Sequence, residues 1–131
     1  MTLRRTFLWL LALAMIVAGA NHFREPLKYL AITPPWVPWP ELMNQIIGGA
    51  EILGGFGVLV PSTRRLAAWG LIAILIAVFP ANLHMALTGA QIPGREIPSW
   101  AAWARLPFQL LFIAWVWWVA LVPGRNKTEP T

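Results

Sequence analysis

The chain has no cysteine among its 131 residues. Disulfides, thiolate nucleophiles and zinc–sulfur sites are therefore excluded, while the redox compartment stays open, since a thiol-free chain tolerates any poise. Charge is also scarce: Asp, Glu, Lys and Arg make up 11% of residues against 58% hydrophobic ones, and mean hydropathy is +0.62. A soluble domain carries about 25% charged residues, so this chain lacks the polar side chains needed to cover a water-exposed surface. Missing, too, are the ~10-residue segments of alternating polarity that mark a transmembrane β-barrel.

What is present is four apolar stretches, about Phe7–Phe23, Leu42–Val60, Leu66–Leu87 and Leu106–Val122. Each approaches the ~20 residues that a helix needs to cross a ~30 Å hydrocarbon core. The expected fold is all-α: one four-transmembrane-helix bundle, with helices at about 5–23, 41–60, 64–87 and 103–122. Residues 24–40 read as a Pro/Trp-rich outer interfacial loop and 123–131 as a tail. Within the loop, Pro34, Pro35, Pro38 and Pro40 favour an extended, stiff strap. Trp36 and Trp39 would let that strap lie on the membrane surface, as a plain connection or as a gate over the bundle.

A net charge of +5 and a pI near 11.2 do not point to nucleic acid. The basic residues sit in pairs at span ends: Arg4 and Arg5, Arg64 and Arg65, Arg125 and Lys127. That placement is topogenic. Four spans put these six on one side, against Arg24, Lys28, Arg95 and Arg105 on the other, so both termini are expected in the cytoplasm. Tryptophans near both sets of helix ends agree with interfacial placement. Arg4-Arg5-Thr6-Phe7-Leu8 resembles a twin-arginine export signal, but such cargo folds before export, and three apolar spans would remain. A first transmembrane helix is the better account.

Glu51 is the acid that falls inside a span, about ten residues from its start, while Glu25, Glu41, Glu96 and Glu129 fall in loops or the tail. A charge at mid-span costs roughly 2.5–3.5 kcal/mol even on lenient insertion scales, so Glu51 is expected to face the protein interior and find a partner. Asn44, Gly48, Glu51 and Gly55 recur at spacings of four, three and four, which is one helical face. Gly48 and Gly55 there, with Gly19 on the first helix, would allow close helix packing, and Gly49, Gly54 and Gly57 widen the small face. On the first helix Ala12, Met15, Gly19 and His22 form a similar stripe. Asn82 and His84 follow Pro80, whose missing N–H frees the carbonyl of Ile76 and predicts a kink. Arg105 and Gln109 stand one turn apart on the last helix.

By depth, His22, Asn44, Asn82, His84, Arg105 and Gln109 all lie in the outer half of the bundle, with Glu51 as its floor. A polar pocket for a ligand or a proton is the expectation from this clustering. Plainer readings stand beside it: Glu51 as a structural acceptor between two helices, the histidines as interfacial residues, Asn82 as partner of the carbonyl freed by Pro80. Arg105 would either snorkel to headgroups or face inward with Gln109. Arg64 and Arg65 read as anchors at the membrane surface. No metal site is expected.

Several segments together resemble the DoxX-like family of small four-helix membrane proteins. The resemblance rests on Gly19-x-x-His22-Phe23 followed by Pro26, Gly48-x-x-Glu51-Ile52-Leu53-Gly54-Gly55, and Pro61-x-x-Arg64-Arg65-x-Ala67. Phe79-Pro80-Ala81-Asn82 and Arg105-Leu106-Pro107-x-Gln109 complete it, so that it spans residues 5–122. It implies a four-helix bundle and an association with quinone-linked or other redox membrane systems. Relatives that perform thiol chemistry would need cysteines, which this chain lacks.

The functional expectation is thus a DoxX-like integral protein of the cell inner membrane, not an enzyme on its own. It would serve as a small subunit or ligand-binding component of a quinone-linked or other redox assembly. Quinone is the candidate cofactor; a b-type haem held by His22 and His84 is the weaker one. Expected partners are membrane lipids and a redox complex or second copy of the chain, not nucleic acid. The alternative is a non-catalytic assembly protein that grips a membrane partner through its helix faces.

Overall fold

A computed structural model describes residues 2–89, 91–92 and 95–123, with backbone alone at 91–92 and 95–96. Arg125, Lys127, the tail from residue 124 and the Pro93-Gly94 turn lie outside the described residues. Helix α1 (Leu3–Arg24) begins where Thr2 Oγ1 accepts the N–H of Arg5 at 3.2 Å, a standard N-cap. It stops ahead of Pro26, which opens the short helix α2 (Pro26–Ile32), the position where a missing N–H costs nothing. The segment 24–40 is therefore not loop throughout: apart from Glu25, its irregular residues are 33–39, where Pro34 and Pro35 hold the preceding residue out of the helical region.

Helix α3 (Pro40–Leu59) starts from Trp39 in the left-handed conformation, φ 43°, uncommon for a residue with a Cβ. Trp36 and Trp39 are exposed, whereas Pro34 beneath them is buried. A tight turn over Val60–Thr63 leads to α4 (Arg64–Thr88), which continues through Pro80. The turn is tied to α3 by side chains: Thr63 Oγ1 donates to Gly57 O at 2.8 Å and Arg64 Nε to Val58 O at 2.7 Å. Arg64 is thus a cap for carbonyls that the helix leaves unpaired, as well as a surface charge. A two-residue antiparallel ribbon, β1 (Gln91–Ile92) with β2 (Arg95–Glu96), precedes α5 (Ser99–Val116). This last helix starts at Ser99, earlier than the sequence pattern placed it. It ends in a π-helical turn, Trp117–Leu121, whose wider winding buries Val119, Ala120 and Leu121 in succession.

Four helices, α1, α3, α4 and α5 with its π turn, are long and apolar enough to cross a membrane. This is the build of a multi-pass membrane protein. The most extensive packing is α1 on α3; α3 then packs on α4 and α4 on α5, and α5 with its π turn closes the ring onto α1. Leu11, Met15, Val58, Leu71 and Val116 fill the centre, while Leu53 (74% exposed) and Leu66 (80%) point outward. An apolar perimeter of this kind suits acyl chains, not water. Trp115 fastens the closure, its indole N–H donating to Phe7 O at 3.1 Å while its ring meets Phe7 edge-on.

Glycine lets α1 and α3 touch backbone to backbone. A Cβ on Gly19 would stand 2.5 Å from Gly48 O, and one on Gly48 would stand 2.9 Å from Gly19 O. Gly54 and Gly57 serve a different contact, receiving Leu71 and Ala67 of α4, and a Cβ on Gly49 would meet nothing. Gly19→Ala is expected to destabilise the bundle by about 1–3 kcal/mol through overpacking, whereas Gly49→Ala leaves it unchanged or firmer. Denaturant titration of both variants in micelles checks the contrast; equal effects would dissolve the argument for contact at Gly19.

Candidate functional site

The close α1–α3 approach brings the end of one small-residue stripe onto the middle of the other. His22 and Asn44 are buried and clasp each other twice: Asn44 Nδ2 donates to His22 O at 2.9 Å, and Asn44 Oδ1 lies 2.6 Å from His22 Nδ1. The first bond fixes the amide so that its oxygen faces the ring. That oxygen only accepts, so His22 Nδ1 carries a hydrogen and donates it.

The other ring nitrogen, Nε2, faces Glu51 Oε2 at 3.3 Å. A neutral imidazole with hydrogen on Nδ1 offers a lone pair at Nε2, and a carboxylate oxygen offers another. Two acceptors cannot face each other without a proton between them. The pair is therefore imidazolium with carboxylate, or imidazole with carboxylic acid, and either form holds one transferable proton. The approach meets ion-pair distance but not strict hydrogen-bond geometry, so buried Oε2 has only this long contact to His22 among the described residues. A buried acid held by so weak a contact is costly.

Tyr29 completes the cluster. Its ring stacks on His22 with centroids 3.7 Å apart and planes 21° from parallel, and its hydroxyl accepts from Asn21 Nδ2 at 2.9 Å. Sequence reasoning missed this residue because it belongs to the linker, where a strap was expected. The usable signal was Pro26 at the start of a seven-residue helical run, which folds the linker back over the end of α1.

The remaining polar candidates form a second, separate clamp. Asn82 Nδ2 donates to Gln109 Oε1 at 2.8 Å, and Gln109 Nε2 donates to Leu75 O, so α4 and α5 are joined. The side chain that reaches a carbonyl in the turn before Pro80 is thus Gln109, not Asn82 as the plainer reading has it. Arg105 is exposed, one turn before buried Gln109, and reaches Met85 Sδ at 4.0 Å; an inward Arg105–Gln109 pair is not formed. His84 uses its carbonyl to accept from Thr88 Oγ1, and its ring makes no hydrogen bond or ion pair among the described residues. Nor does any such contact link the Asn82–Gln109 clamp to the His22–Glu51 cluster among those residues.

Of the expected pocket, then, His22, Asn44 and Glu51 come together, while Asn82 and Gln109 pair elsewhere. His22 and His84 share no contact among the described residues, and both nitrogens of His22 already face protein partners. Among the described residues no group of three or more His, Cys, Asp or Glu gathers as a metal would require.

Fold and site define a four-helix membrane bundle with a His–Glu pair buried in its α1–α3 seam. The chain belongs to the family described as Domain of unknown function (DUF8561), whose model matches residues 11–120. No curated protein and no solved structure matches it. Because Asn44 satisfies both the His22 carbonyl and the ring N–H, Asn44→Leu is expected to cost about 1–3 kcal/mol by leaving those groups unpaired. Loss of less than half a kilocalorie, by reversible unfolding in mixed micelles, would contradict the double clasp.

Proposed function

We propose that the protein is a DoxX-like component of a quinone-linked or other redox membrane system. It binds a lipophilic ligand with a hydrogen-bonding head at the His22–Glu51 pair. One observation carries this reading: among the described residues, buried Glu51 Oε2 is met only by a long 3.3 Å approach to an imidazole whose other nitrogen is already fixed. A hydroxyl on a quinol-like ring would give that oxygen a better-aligned donor than the long His22 contact, and the adjacent pair would accept or return a proton. Tyr29, flat against His22, supplies an aromatic face of the sort a quinone ring stacks on.

The resemblance to DoxX-like proteins gains support from where its segments meet. Gly19-x-x-His22 and Gly48-x-x-Glu51 are two sides of one contact, with glycine against glycine and histidine against glutamate. Glu51 lies far from either end of α3, which favours a lipophilic ligand that reaches it from the lipid phase.

Glu51→Gln keeps the shape and removes the acid. In nanodiscs, tryptophan fluorescence titrated with a short-chain quinol is expected to show binding weakened by roughly ten-fold, with helical circular dichroism unchanged. Equal affinity in the two proteins would reject the assignment. For placement, we propose the cell inner membrane with both termini cytoplasmic, on the strength of the basic pairs at 4–5 and 64–65. The cysteine-free chain makes this simple to examine. In intact cells an impermeant maleimide should label a Ser99→Cys variant and spare Thr2→Cys, and the reverse pattern would invert the topology.

A further inference from the structure

At the end of the bundle away from His22, the start of α1, the end of α3 and the π turn enclose a half-open groove of about 630 Å³. Arg4, Arg5 and Arg64 line it together with Leu8, Trp9 and Leu59, and among the described residues no carboxylate does. Two of these arginines are held in place by main chain. Arg4 donates to Val122 O, and Arg64 donates to Val58 O at 2.7 Å and Leu59 O at 3.3 Å. A guanidinium has five N–H donors, so each keeps several free after these bonds. Arg5 is exposed, and its guanidinium has no protein partner among the described residues.

Positive charge fixed at a groove wall, with unspent donors and no acid among the described residues to neutralise it, calls for an anion. Planar guanidinium groups match the paired oxygens of phosphate. The surroundings choose which phosphate. Trp9 (51% exposed) and Leu3 (68%) flank the groove on α1, and Leu66 and Trp69 stand outward on α4. An aromatic and aliphatic rim at a helix end lies at the level where headgroups meet acyl chains.

We infer that this groove is a binding site for the phosphate of one anionic phospholipid, held by Arg4, Arg5 and Arg64 with its acyl chains along the Leu8–Trp9 side. The site is distinct from the His22–Glu51 pair and stands or falls independently of it.

The test is native mass spectrometry of the full chain in detergent, titrated with phosphatidylglycerol or with phosphatidylcholine of the same acyl chains. One phosphatidylglycerol should be retained preferentially. Arg5→Ala should weaken it about five-fold, and since the Arg5 guanidinium bonds no described residue and its backbone N–H is kept, the fold is not at stake. Arg65→Ala removes an exposed charge from the same end but not from the groove, and should leave affinity within about two-fold. Equal retention of phosphatidylcholine would overturn the site, as would equal effects of the two arginine variants. Displacement of the lipid by an equimolar amount of inorganic phosphate would also overturn it, marking a free-phosphate site instead.

Discussion

Backbone contact between α1 and α3 at Gly19 and Gly48 is the constraint on which the rest of the molecule depends. Helices whose facing residues carry side chains sit 8–10 Å apart, and a short asparagine on one could not then reach the main chain of the other. Here Asn44 does so, at His22 O. With no hydrophobic drive between helices in lipid, close van der Waals contact and interhelical hydrogen bonds must supply the association. Both are concentrated in this seam: glycine removes the bulk, and the room it leaves is filled by His22, Asn44 and Glu51.

Helical periodicity makes that seam legible in the sequence. A residue's position modulo the 3.6-residue turn decides its face, and the stripe Asn44, Gly48, Gly55 is buried as the spacing requires. The same holds for Ala12, Met15, Gly19 and His22. Periodicity says nothing about which helix each face meets, and depth alone cannot separate residues at one level. So Asn82 and Gln109, at a depth similar to His22, were grouped with it, although they close a different interface. Glycines were undersorted for the same reason: Gly54 and Gly57 lie beside the seam in sequence but face α4.

Tyr29 and Trp39 were illegible for another reason. Both owe their positions to the linker, and proline-rich composition argues only against helix in the residues that precede or contain proline. Pro26 acts oppositely, as a helix starter, and the resulting two turns lay Tyr29 on His22. Trp39 spends a left-handed backbone to join this folded-back piece to α3, a cost of the order of 1–3 kcal/mol that the surrounding structure must over-determine. The linker is thus part of the cluster, fixing the ring that the first helix presents.

Polar groups in an apolar phase are expensive singly and tolerable in satisfied sets. The described residues follow this rule almost everywhere: Asn44 spends both ends of its amide on His22, Gln109 spends its own on Asn82 and Leu75, and Arg64 is turned onto the last carbonyls of α3. Glu51 departs from it. A purely structural acid in the seam could be replaced by a glutamine or serine with complete hydrogen bonding and no charge to desolvate. Keeping an acid whose buried oxygen is met only by a long 3.3 Å approach to an imidazole that must share a proton with it adds desolvation cost for little hold. Among the described residues, Glu51 is thus the polar group whose retention the packing of the α1–α3 seam does not account for.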